Sequence, residues 1–387
     1  MDNKDSLIFK NSIIKGAAVF TSVFPISLAA TVFMGFDFFY CAVFSSYAAL
    51  FAAKPKTNNI MPAYADFLVM MFAINAFGAS TASLAIFICG ILSLVFSLLP
   101  VKIKLSSNPV TSGVMLACAM TVTVMLTTHY FGIGATGNSV TEMLGSYLSL
   151  GFHPNWRGVL YGTIVMVIMI TFPRKFKSLN KVIKAPFIAI AVTLILNFFL
   201  NPSDMPTAID EIEEVYSNSS IGFFAFFSDF ECNYLSAALC GLALFFIHYF
   251  ALSKNDADNK KCLAASISDI TAAILGTPLL PYGIKKKSVV FGSIATVLSC
   301  LTVFGMKDSI GRMPVHSLAV VLIVGAWGNV KWSEIKKAFS SPLSVLFFIS
   351  PILACLGFGF VNGILISAVL YLIYSFIEKS KICKVST

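Results

Sequence analysis

Residues 61–71 read M-P-A-Y-A-D-F-L-V-M-M. The run is apolar, opens on a proline and carries one carboxylate, Asp66. Proline is at no disadvantage in the first turn of a helix, so Pro62 is well placed to start one. A carboxylate inside such a helix is tolerated only where it faces protein or water. Whether that helix lies in a soluble core or in a bilayer decides the fold, and the rest of the chain answers it.

The 387 residues are 57% hydrophobic and only 12% charged. A soluble domain of this size could not cover so much apolar surface. Apolar runs recur at about 11–33, 35–53, 62–76, 82–99, 108–131, 156–172, 184–200, 233–253, 262–276, 281–292, 293–306, 314–330, 342–358 and 359–377. They are continuous rather than alternating, which predicts helices and not a membrane barrel. The expected fold class is therefore an all-α polytopic membrane protein of about 14 segments. The start, MDNKDSLIFKNSIIK, is polar and basic and leads into a full-length apolar run without a small-residue cleavage site, so no cleavable signal is expected. The nine cysteines lack C-x-x-C spacing and fall mostly in apolar runs, so they read as small packing residues.

The net charge of +9 is distributed by side. Alternate connections hold Lys4, Lys10 and Lys15, then Lys54 and Lys56, then Lys102 and Lys104. Arg174, Lys175, Lys177, Lys181 and Lys184 follow, with Lys254, Lys260 and Lys261. Lys331, Lys336 and Lys337 come next, and Lys379, Lys381 and Lys384 close the chain. The opposite side holds only Arg157, Lys307 and Arg312, and its loop at about 201–232 is acidic. This asymmetry predicts both termini in the cytoplasm. The basic charge faces a lipid surface, so no nucleic-acid partner is expected.

Several short motifs then fall in order. They are Phe24-Pro25, Met61-Pro62-Ala63-Tyr64, N-P-V-T-S-G from Asn108 with Phe131-Gly132, and D-N-K-K-C-L-A-A-S-I-S-D-I before Gly276-Thr277-Pro278. Met313-Pro314 with H-S-L-A-V-V-L-I-V and G-F-G-F-V-N-G-I-L-I-S complete the set. Together they resemble the SulP family of anion transporters across nearly the whole chain. The resemblance implies residues 1–387 as one transporter domain, with inverted seven-segment repeats at about 11–200 and 233–377 and broken third and tenth segments. Half-helix N-termini would then meet at the midplane, where free N–H groups suit an anion. The family's cytoplasmic STAS domain has no counterpart in EKSKICKVST after the last segment, so no soluble domain is expected.

The resemblance makes Thr21, Pro62, Ala63, Tyr64, Lys287 and Ser288 the substrate-binding candidates. Lys287-Ser288 matches a basic-hydroxyl pair at the tenth half-helix, but Lys285-Lys286-Lys287 cannot all face one pocket, because helical neighbours point about 100° apart. The alternative places the three lysines at a cytoplasmic end. Asp66 and His248 are coupling candidates, since a carboxylate or an imidazole can exchange a proton; the plainer alternative for each is interhelical packing. Asp269 reads as an interhelical hydrogen-bonding residue, with coupling as its alternative. His129, His153 and His316 read as interfacial.

The sequence thus predicts a multi-pass inner-membrane symporter of sulfate, bicarbonate or a dicarboxylate, driven by H+ or Na+. No cofactor or metal is expected, and a homodimer is compatible with the family. A nucleobase permease of the same fold and a non-transporting membrane scaffold or sensor are the alternatives. An enzyme is disfavoured, because no nucleophile-base spacing, nucleotide loop or metal-ligand spacing is present.

Overall fold

The computed structural model describes residues 3–50, 61–98, 108–200, 205–216, 232–252, 259–274 and 289–385. Among these residues the chain is almost entirely helical, with sixteen α-helices. They are α1 (Asn3–Phe33), α2 (Phe38–Leu50), α3 (Met61–Phe77), α4 (Ala79–Leu98), α5 (Pro109–Phe131), α6 (Val140–Leu150), α7 (Trp156–Lys175) and α8 (Ala185–Leu200). After α9 (Ala208–Tyr216) come α10 (Tyr234–Leu252), α11 (Asn259–Ile274), α12 (Val289–Gly311), α13 (Val315–Gly328), α14 (Trp332–Ala338), α15 (Pro342–Gly357) and α16 (Phe360–Val385).

Among the described residues, six helices are long and apolar enough to cross a bilayer, within α1, α4, α5, α7, α12 and α16. Helices α13 and α14 reach a spanning length only when taken together, and they are bent by 51° across residues 329–331. Shorter apolar helices, within α3, α8, α10 and α15, pack among them. These apolar stretches of 14 to 16 residues are too short to span alone, so they need protein around their ends, where free backbone groups are satisfied.

Local chemistry explains several boundaries. Asn108 caps α5: its Oδ1 accepts from the Val110 amide at 2.9 Å, and Pro109 follows at the first helical position. Gly132 closes the same helix in the left-handed conformation, φ 69°. Ser341 and Pro342 repeat the opening at α15.

The helices pack in three groups. Helices α1, α2 and α12 form one; α3, α4, α10 and α11 form a second; α5, α7, α8, α13, α15 and α16 form a third. Helix α1 is the most deeply buried of the long spans and joins the first group to α8 and α13. Helices α3 and α10 lean on α5 and α16. Helix α13 is buried without a break from Val315 to Leu322.

Within the described residues one expected break between segments is absent, and α16 runs on to Val385, past the expected end at 377. The break between 292 and 293 does not occur, because α12 runs through it as one helix. Nothing in V-V-F-G-S-I-A-T stops a helix, as Gly292 alone costs only about 1 kcal/mol. The helix departs from α-geometry later, at Met306 (φ −130°, ψ 20°). One short extended pairing is also present: Thr207 bridges Pro314, with the Ala208 amide donating to the Met313 carbonyl at 2.8 Å and the Val315 amide to the Pro206 carbonyl at 3.2 Å. It ties the loop before α9 to the start of α13.

Candidate functional site

Asp66 lies one turn into α3 and is fully buried. Its Oδ2 is 3.1 Å from Nε2 of His248 on α10. The other ring nitrogen, Nδ1, is 3.3 Å from Oδ2 of Asp269 on α11. The same Asp269 oxygen takes a 3.7 Å hydrogen bond from the Cys89 thiol on α4, and Cys89 Sγ is 3.6 Å from His248 Nδ1. Four helices of one packing group therefore each contribute one side chain to a single cluster. His248 keeps 11% of its side chain exposed, while Asp66 and Asp269 are at 0% and 2%.

Small residues let these helices approach. A methyl group at Gly90, beside Cys89, would come 2.7 Å from Ile270 Cγ1 and 3.2 Å from Asp269 Cβ. Glycine there lets α4 lie directly on α11, a packing habit of helices in bilayers. Cys89 is near the middle of α4, so the cluster sits about 15 Å from that helix's ends at 1.5 Å per residue. Two carboxylates at such depth are costly unless paired, and one imidazole is shared between them. Asp66 Oδ1 has no hydrogen-bond partner.

Above the cluster is a cavity of about 780 Å³. Its wall is the C-terminal half of α3 (Met71, Ile74, Asn75), the end of α5 (Thr128, His129), residues 132–138, and Glu211 of α9. His129 Nε2 and Glu211 Oε1 lie 3.1 Å apart in that wall. Met71, which lines the cavity, follows Asp66 by five residues, about 7.5 Å of rise along α3.

The structure brings Asp66, His248 and Asp269 together, and adds Cys89. The cysteine looked like packing because nothing near it in sequence signals its partners. Tyr64, also on α3, is buried at 2% with its hydroxyl against Gly325 of α13. Thr21 is not in the group: its hydroxyl donates to the Val182 carbonyl at 2.9 Å and accepts from the Lys184 amide at 3.3 Å, tying α1 to the turn before α8. Pro62 and Ala63 fall in the first turn of α3. Lys285, Lys286, Lys287 and Ser288 lie outside the described residues, as does the expected tenth half-helix before residue 289. His316 is buried on α13 with both ring nitrogens unpartnered, rather than interfacial.

No family model matches the sequence, and no curated protein is similar to it. Solved structures are similar in three dimensions. The transmembrane domain of a cyanobacterium bicarbonate transporter, BicA, has a TM-score of 0.71 at 16% identity, over 94% of this chain and 97% of that one. SLC26A9 has 0.67 at 13% identity, over 97% of this chain and 66% of that one. The murine Solute Carrier 26 family member A9 anion transporter, in an inward-facing state, has 0.63 at 12% identity over 95% and 68%. The chain therefore has the membrane-domain fold of the SulP/SLC26 anion transporters. It spans about two thirds of the length of the two A9 chains.

Proposed function

We propose that this protein is a secondary transporter of a small anion such as bicarbonate, sulfate or a dicarboxylate. The observation that carries the reading is a buried charged cluster beneath a wide cavity, on a fold shared with a bicarbonate transporter and an anion transporter. A bilayer protein keeps midplane carboxylates where ions pass or bind.

In this reading the anion enters the cavity and descends along α3 to its N-terminal turn. After Pro62, the backbone amides of Ala63 and Tyr64 end the helix dipole there, and Lys287 and Ser288 are the substrate-binding candidates from the second repeat. Asp66, His248 and Asp269 hold the coupling cation, a proton or a sodium ion. The two inverted repeats, about 11–200 and 233–377, supply an elevator-like or rocking movement of the α3–α4–α10–α11 group against α5, α13 and α16. The basic connections face the cytoplasm, with both termini, in the inner membrane of the cell. Two copies associate as a homodimer.

Uptake by the purified full chain in proteoliposomes tests this. Labelled bicarbonate, sulfate and fumarate are offered under inward proton and sodium gradients. Accumulation of one anion under one gradient supports the reading. A folded, correctly inserted chain that accumulates none of the three removes it.

A further inference from the structure

The Cys89–His248–Asp269 group has a geometry that a hydrogen-bonded coupling site does not require. Its three ligand atoms, Sγ, Nδ1 and Oδ2, are separated by 3.6, 3.7 and 3.3 Å. Tetrahedral zinc, with bonds of about 2.3 Å to sulfur and about 2.1 Å to nitrogen and oxygen, sets its ligands about 3.6 Å apart where sulfur is one of them. It sets nitrogen and oxygen about 3.4 Å apart. All three separations agree within about 0.1 Å.

The fourth residue strengthens the match. A histidine ligand ordinarily donates its other ring N–H to a carboxylate, which fixes the tautomer and turns the free nitrogen to the metal. His248 presents Nε2 to Asp66 Oδ2 at 3.1 Å and Nδ1 to the three-atom site. The donor set is also selective. Thiolate and imidazole favour zinc and similar transition metals, whereas sodium, magnesium and calcium take oxygen.

We propose that Cys89, His248 and Asp269 bind one zinc-class divalent cation, with Asp66 orienting the histidine and the fourth coordination position open. Binding replaces the Cys89 S–H bond with a metal–sulfur bond and releases that proton. With the thiolate and the Asp269 carboxylate, the metal's two charges are balanced inside the membrane. The site stands whether or not the chain carries an anion. If it does, a bound metal holds α4, α10 and α11 together and competes with the coupling cation, and that clause alone rests on the transport reading.

The test is metal content of the untagged full chain in detergent after equilibration with zinc and removal of the excess. Wild type is expected to retain about one zinc per chain, with an absorption-edge fine structure showing one sulfur at about 2.3 Å. Cys89→Ser and His248→Ala should lose at least tenfold in retained zinc, while Cys118→Ser, at a buried cysteine of α5 outside the three-residue group, keeps it. Cobalt loading of wild type should give a thiolate-to-metal charge-transfer band, so the answer does not depend on whether a variant folds. A folded wild type that stays metal-free, zinc without a sulfur neighbour, or full retention by Cys89→Ser overturns the proposal and leaves a hydrogen-bonded triad. No gradient or anion is used, so these outcomes are separate from uptake.

Discussion

Asp66 Oδ2 and His248 Nε2 lie 3.1 Å apart, although 182 positions separate them in the chain. The contact joins α3 to α10, and Asp269 holds the opposite edge of the same imidazole. Removing the ring leaves two buried carboxylates without it. A broken buried pair costs about 3–5 kcal/mol, because a charge is left uncompensated. His248→Ala should therefore unfold at a clearly lower temperature in detergent than wild type. The double variant His248→Ala/Asp66→Asn should recover part of the loss, as the stranded charge is then gone. Equal destabilisation in single and double variants would show that the pair is not coupled.

Tyr64 and Gly325 test the contact between α3 and α13. A methyl at Gly325 would overlap the Tyr64 hydroxyl. Overpacking of this kind costs about 1–3 kcal/mol. Gly325→Ala should lower thermal stability, and Tyr64→Phe in the same chain should return part of it. A Gly325→Ala protein as stable as wild type would place the tyrosine hydroxyl elsewhere.

The α5 cap gives a smaller, cleaner effect. Asn108 accepts from the Val110 amide, and Ala at that position cannot. Asn108→Ala should cost about 1 kcal/mol, and Asn108→Ser should recover most of it. Thermal unfolding in detergent reads both.

Side-specific labelling checks the orientation. With the native cysteines replaced, Leu148→Cys in exposed α6 should react with an impermeant maleimide added outside intact cells. Lys336→Cys, in the basic connection at α14, should react only after the membrane is opened. The reverse pattern would invert the topology that the lysines predict.

If the metal site couples to transport as argued above, zinc loading should reduce anion uptake by wild type several-fold. A chelator that crosses the membrane should restore it. Uptake that is indifferent to saturating zinc would separate the cluster from the transport cycle.

The helical membrane fold was legible because apolar length is a local property. Runs such as 108–131 announce both the span and its caps, and Asn108, Pro109 and Gly132 end the helix where those residue types should. Asp66 and His248 stood out one at a time, as polar groups in apolar helices. Their meeting did not, because it depends on how α3, α4, α10 and α11 cross. Cys89 was hidden for the same reason: its partners are 159 and 180 residues away. The Thr21 contact was equally hidden, since a hydroxyl on α1 has many faces to choose from and here bonds the turn before α8. The unbroken α12 was misread because a run of apolar residues carries no mark of where one segment stops and the next begins.

The most direct test of the account is cation-driven anion uptake by wild type and Asp66→Asn in matched proteoliposomes. The account predicts accumulation of one anion by wild type only under an inward proton or sodium gradient. Asp66→Asn should lose that accumulation while remaining folded and inserted. Gradient-driven accumulation that is undiminished in Asp66→Asn would contradict the assignment of coupling to the buried cluster.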